Sequence, residues 1–250
     1  MQGSSLEGSS LDQPYNEIDL RERLWRVFSE PVSSFAGVLD REGWRDWCVP
    51  VLAVCLVMLA GNYITLSIVA DVEGTAVQEQ MQGMSELQRQ QFVQYVEMYR
   101  EHGWIISPLV EPFFFMTLLG LVLLIFTRFL FNREMTLRQA LIVKAYASLI
   151  VIPETLVRTG LILALGTATV SMGPGVLLSD AMAASFLGKV LSGINVFDLW
   201  QVWVVATGLH VLANVPLKRA VITLGVLWGL WIVGGVVVEI AGMSLAPAAG

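Results

Sequence analysis

Charge is scarce in this sequence. Lys, Arg, Asp and Glu make up 14% of the 250 residues, where a water-soluble domain of this length carries roughly a quarter. With 55% hydrophobic residues and a mean hydropathy of +0.66, the shortfall makes lipid the main solvent of the chain. The formal net charge of −6 leaves no broad basic face, which excludes a nucleic-acid partner. Cysteine is as sparse. Cys48 and Cys55 share one face of a helix without readily reaching each other, and they read as small apolar filler rather than as a redox or metal pair. Only two histidines occur, His102 and His210. No Ser/His/Asp set, HExxH, GxxxxGK[ST] or CxxC is visible. The chain is therefore read as a non-enzyme with no cofactor and no metal. A basic segment leading into an apolar core is also missing from the first twenty residues, so no cleaved signal peptide is expected; "GSSLEGSS" reads as part of a flexible polar tail over 1–20.

What the chain has in quantity is long apolar runs. A helix crossing the hydrocarbon needs about 20 mainly apolar residues. Five stretches qualify, at about 48–70, 106–131, 138–166, 197–216 and 218–240, and they predict an all-α polytopic bundle in a single domain over 21–250. Cytoplasmic segments of membrane proteins collect Lys and Arg. Arg21, Arg23, Arg26, Arg41 and Arg45 precede the first span, Arg128, Arg133, Arg138 and Lys144 lie between the second and third, and Lys218 and Arg219 join the fourth and fifth. The remaining four of the 15 cationic residues, Arg89, Arg100, Arg158 and Lys189, fall on the other side. This asymmetry predicts the N-terminus inside and the C-terminus outside.

Three amphipathic stretches accompany the spans. In "MSELQRQQFVQYVEMYREHG", Ser85 and Gln88 form a capping box, in which each side chain satisfies a free backbone N–H at the helix start. Leu87, Phe92, Tyr95, Val96 and Tyr99 fall near one face, and Gly103 can end the helix. An outer helix over about 86–102 is expected, lying on the membrane or bundle surface or binding a partner. The stretch 179–193, with Ser179 as a cap and Gly193 at its end, is too short to cross and reads as a helix in the outer interface. On the inner side, Leu24, Trp25, Phe28, Phe35 and Leu39 alternate with charges around Pro31, as in an interfacial helix broken at the proline.

The stretch "SLIVIPETLVRTG", 148–160, holds the candidate intramembrane polar site. Thr136 and Gln139 form a second capping box, so the third span starts near Leu137. Pro153 then falls roughly mid-bilayer at about 1.5 Å rise per residue and is expected to kink the helix. Glu154 and Arg158 stand at i and i+4, where pairing lowers the cost of burying each. Two readings are open: a kinked helix with an internal ion pair, or a polar site that handles an ion, a proton or a lipid headgroup. His210 and Asn214 share a face of the fourth span and are expected to hydrogen-bond between helices. Asp198 reads as a cap at the start of that span. Gly225 and Gly229 have the small-residue spacing that lets membrane helices pack closely.

Three segments together resemble the bacterial Yip-type (Ypt/Rab-interacting protein) membrane domain. They are "LWRVFSEPVSSFAGVLDREGWRDWCVPVLAVCLVMLA", "TLRQALIVKAYASLIVIPETL" and "NVFDLWQVWVVATGLHVLANVPLKRAVITLGVLW". The first is similar to the family's amphipathic lead and first span. The second resembles its threonine-capped alanine-tyrosine-alanine-serine-leucine-proline region, with a slight departure in spacing where Ile150 to Ile152 separate Leu149 from Pro153. The third resembles its phenylalanine-x-x-tryptophan entry, Phe197 and Trp200, followed by Gly208. The resemblance covers about 21–240. It implies five spans with a cytoplasmic N-terminus. Eukaryotic relatives are linked to vesicle trafficking and small prenylated GTPases; the short acidic tail here gives no reason to expect GTPase binding. The expected function is a non-enzymatic scaffold in the bacterial inner membrane that organises membrane or binds lipids, other membrane proteins or itself. The alternative is a small transporter or lipid-handling protein built on the Pro153 kink.

Overall fold

The computed structural model describes residues 19–38, 43–81, 84–167, 170, 172–183 and 185–245. The tail expected over 1–20 lies almost wholly outside them, as does Leu39, and the side chains of Tyr95, Val96 and Tyr99 are likewise not described. The described residues form α1 (Leu20–Arg26), α2 (Pro31–Ala36), α3 (Trp44–Met81), α4 (Glu86–Phe131), α5 (Leu137–Ser148), α6 (Val151–Leu165), α7 (Asp180–Ala183), α8 (Phe186–Ser192), α9 (Val196–Ala213) and α10 (Leu217–Leu245), with a short 3-10 helix at Pro174–Leu177. The protein is an all-α, multi-pass integral membrane protein. Five stretches are long and apolar enough to cross a bilayer: 44–69, 101–131, 137–165, 196–213 and 217–241. Their ends differ from the sequence expectation by a few residues.

The helix starts follow local chemistry. Ser85 and Gln88 cap α4 reciprocally, and Thr136 and Gln139 do the same for α5, each pair satisfying two backbone N–H groups that have no partner inside the helix. Asn132 closes α4 in the left-handed conformation, at φ 52°, which asparagine tolerates. The third span is broken where its proline requires. Pro153 sits in the first turn of α6, and its ring would collide with the carbonyl four residues earlier, at Leu149. The chain tightens there: the Ile152 N–H bonds to the Leu149 carbonyl at 3.0 Å, three residues back, and Leu149 and Ile150 have ψ of −24° and −20°. The kink therefore falls at 149–150 rather than at Pro153 itself.

Two expectations about the accessory helices are corrected. The outer helix over 86–102 is not separate. It continues into span two as one 46-residue helix, α4. Gly103 is buried and stays helical instead of ending the turn, and at the next position Trp104 meets Tyr63 of α3, with ring centroids 5.9 Å apart. The stretch 179–193 is two short helices rather than one. Ser185 starts the second by accepting from the Gly188 N–H at 3.1 Å. A side chain at Gly188 would lie 2.0 Å from the Met182 carbonyl oxygen, so α7 and α8 can fold onto each other only at a glycine.

The largest departure concerns the N-terminal segment. The expected interfacial helix is packed into the protein. Pro31 opens α2 at its first position, where a missing N–H costs nothing, and Val27, Phe35 and Val38 are completely buried. α2 packs along α9, Phe28 meets Trp200 edge-on at 6.1 Å, and Phe35 lies 5.4 Å from the ring of Tyr146 on α5. Trp25 and Trp44 remain exposed. A buried ion pair ties this segment to the bundle. Arg23 Nη2 and Asp46 Oδ1 are 2.9 Å apart, with side-chain exposures of 7% and 4%. Arg23 also donates to the Gly37 carbonyl at 2.9 Å, and Asp46 accepts from the Gly43 N–H at 3.0 Å and the Tyr146 hydroxyl at 3.4 Å.

Spans three and four form the centre and span five the edge: half of the most apolar window of span three is buried, against 6% for span five. Cys48 and Cys55 are both free thiols. Cys55 is core filler beside Val51 and Met116. Gly225 and Gly229 have nothing within 4 Å of where a side chain would start, so the close packing expected there is absent within the described chain. Gly208 is the opposite case, since a Cβ would meet the Val143 methyls at 2.8 Å and Phe35 at 3.0 Å. Gly208→Leu is expected to destabilise the folded protein by about 1–3 kcal/mol or more through overpacking, whereas Gly225→Leu leaves the melting temperature of the detergent-purified protein essentially unchanged. Thermal unfolding of the two variants side by side checks this.

Candidate functional site

The polar residues proposed from the sequence do not form one site. Glu154 and Arg158 lie on α6, and His210 and Asn214 lie at the far end of α9. Asn195, which precedes α9, is the residue beside Glu154. The 18-residue length of α9 then puts Asn214 about 27 Å away at 1.5 Å per residue. His210 is exposed, and its Nδ1–H donates to the Val215 carbonyl at 2.9 Å. Asn214 closes α9 in the left-handed conformation, at φ 51°. The expected helix-to-helix bond from His210 is thus a bond within its own turn. Its partner is a carbonyl, which can only accept, so Nδ1 carries the proton. Together with Pro216 these residues turn the chain from span four into span five.

Glu154 does take part in a polar cluster, with different partners from those expected. Its Oε1 accepts from Asn195 Nδ2 at 2.6 Å. Among the described residues no ion pair within 4 Å joins it to Arg158, whose side chain is exposed, although the guanidinium is near enough to act on the carboxylate electrostatically. The pairing expected at i and i+4 gives way because the first turn of α6 faces the start of α9, where an amide is already held in place. Asn195 Oδ1 caps α9 by accepting from the Phe197 N–H at 3.1 Å, which leaves its amide hydrogens free to turn outward to Glu154. Asp198, half-buried in the first turn of α9, stands within electrostatic range of both Glu154 and Lys144. Lys144 Nζ donates to Gln201 Oε1 on α9 at 3.2 Å. The cluster is Lys144, Glu154, Asn195, Asp198 and Gln201, with Arg158 at its edge. Two acids and two bases balance, which keeps the cost of placing ionisable groups inside membrane spans low.

Lys144 and Asn195 were missed from the sequence. Lys144 reads as a cation of the connector before span three, yet it lies two turns inside α5. The sequence places the cap of this span at Asp198, whereas Asn195 caps it and Asp198 lies in its first turn. The one available signal for Lys144 is its place within an otherwise apolar helical period.

Chemically the cluster can hold helices together and can hold protons or a small cation; it has no nucleophile with a neighbouring base. Among the described residues no three His, Cys, Asp or Glu are grouped closely enough to hold a metal ion. Among the clefts formed by the described residues, two lie away from Glu154. One, of about 450 Å³, lies at the turn between α4 and α5 beside Arg128 and Arg133. The other, of about 300 Å³, lies beside Arg23 and Asp46.

Because Asn195 both caps α9 and ties it to α6, Asn195→Ala is expected to cost about 1–3 kcal/mol, while Glu154→Gln, which keeps an acceptor oxygen, costs less than about 1 kcal/mol. Unfolding in a denaturing detergent titration reads both. Comparison of the chain with protein-family models, with curated proteins and with solved structures finds no match.

Proposed function

We propose that this protein is a non-enzymatic scaffold of the bacterial cytoplasmic membrane, with its N-terminus inside, that organises membrane or binds lipids and other membrane proteins. Its kinship with Yip-type membrane domains is part of the same proposal and rests on the three segments that resemble that family. The observation that carries the reading is how the ionisable groups of the bundle are used. Arg23 with Asp46, Lys144 with Gln201, Glu154 with Asn195 and Lys189 with Glu239 each join two different elements. Groups that bridge helices in pairs hold a bundle in one arrangement. A solute path would instead need such groups to face open space.

A small transporter is the second reading, favoured by one observation: Lys144, Asp198, Glu154 and Arg158 form a balanced chain of charge inside the spans, and intramembrane ionisable groups commonly mark ion pathways. Cysteine accessibility separates the two. In a protein with Cys48 and Cys55 replaced by Ala, a single cysteine at Glu154 is expected to stay unmodified by a membrane-impermeant thiol reagent in intact vesicles, while one at Gln90 reacts fully. Rapid labelling at 154 would favour the transporter.

A further inference from the structure

The cleft at the α4–α5 turn carries an assignment of its own. Span two ends at Phe131 and span three begins at Leu137, so the cleft between them lies at the edge of the apolar zone. Exposed Leu137 lines it, and Phe129 and Leu130, which follow Arg128 in the chain, are exposed as well, as suits a surface meeting acyl chains. Its floor includes Leu124 and Met135, and its rim includes Arg128, Arg133 and Glu134. Both arginines are exposed, and among the described residues neither guanidinium has a side-chain hydrogen-bond or ion-pair partner. The backbone beneath them is fixed. The Arg133 N–H bonds to the Thr127 carbonyl at 3.1 Å, and Thr127 is buried and itself bonded to Leu123. Arg219 from α10 donates to the Leu130 carbonyl at 2.9 Å, which offsets the negative end of α4 that would otherwise repel an anion.

The geometry points to a binding site for the phosphodiester headgroup of an anionic glycerophospholipid. Guanidinium forks match phosphate oxygens two at a time. A volume of about 450 Å³ suits a headgroup with its glycerol, and the apolar floor continues toward the bilayer. With Glu134 included, the rim carries one net positive charge, enough to prefer an anionic over a zwitterionic lipid. Basic pockets between membrane helices hold headgroups in this way. The inference deepens the lipid-binding part of the proposed function and rests on it only in placing the bundle in a bilayer.

The test uses the full chain in nanodiscs of phosphatidylcholine, with phosphatidylglycerol added at increasing fraction and binding read by lipid-selective thermal stabilisation and by native mass spectrometry. The unsubstituted protein is expected to prefer phosphatidylglycerol. Arg128→Gln with Arg133→Gln lowers that preference about tenfold, and Glu134→Gln raises it two- to threefold. A control with the same charge change at the same end, Arg21→Gln with Lys218→Gln, stays within twofold of the unsubstituted protein. Inorganic phosphate at millimolar concentration neither stabilises the protein nor displaces the lipid. An unchanged preference in the arginine double variant, an equal loss in the control, no gain for Glu134→Gln, or full replacement of the lipid effect by free phosphate would each overturn the assignment. None of these readouts depends on cysteine labelling at position 154, so the scaffold reading and this one can fail separately.

Discussion

The bundle is organised around a buried ion pair. Arg23 comes from a short helix ahead of the first span and Asp46 from the first turn of that span, and their side chains meet at 2.9 Å almost entirely out of contact with solvent. Two charges removed from water are costly unless each is paired and its remaining hydrogen-bonding groups are satisfied. Here the Asp46 oxygens also receive the Gly43 N–H and the Tyr146 hydroxyl, and Arg23 also reaches the Gly37 carbonyl, while the buried Arg23 Nε is left without a hydrogen-bond partner among the described residues. Breaking such a pair leaves a buried charge without a partner, at a cost of about 3–5 kcal/mol. The pair therefore fixes where α1 and α2 can sit. Once they are held, Phe35 is committed to the space against Tyr146 and Gly208, and Phe28 to the edge of Trp200. α9 and α5, the two central helices, are packed partly through a segment that crosses no membrane.

Away from this centre the polar ties thin out toward the edge. α9 is joined to α5 and α6 by Lys144–Gln201 and Glu154–Asn195. α10 has Lys189–Glu239 at 2.5 Å near one end and Arg219 on the Leu130 carbonyl at the other, with little of its length buried. In lipid, apolar surface gains little by leaving hydrocarbon for protein, so packing and polar contacts decide which helices associate. Polar ties thus run from the centre to both ends of α10, whose span is little buried and whose Gly225 and Gly229 positions are open.

Much of this was legible in the sequence because lipid simplifies the code. Runs of about 20 apolar residues find the spans whatever packs on them, and the capping boxes at Ser85/Gln88 and Thr136/Gln139 formed as their spacing requires. Pro153 broke its helix for a local steric reason, readable without any neighbour. What could not be read depended on a second element. An amphipathic segment such as 24–38 has the same pattern whether its apolar face meets headgroups or a groove, and only the Arg23–Asp46 pair, invisible in one dimension, decides between them. Glu154 and Arg158 have the right spacing to pair, yet Asn195, 41 residues away, offered a pre-positioned amide. Lys144 looked like a connector cation because nothing local announces Gln201. His210 and Asn214 looked like bundle residues but serve the turn that follows them.

The claim that the N-terminal segment is clamped inside the bundle by Arg23 and Asp46 is tested most directly by amide hydrogen exchange in nanodiscs. The account predicts that amides of 31–38 exchange about as slowly as those of 204–209, and that Asp46→Asn accelerates exchange in 31–38 while leaving α10 unchanged. Fast exchange of 31–38 in the unsubstituted protein, at the rate of a helix lying free on the membrane surface, would contradict it.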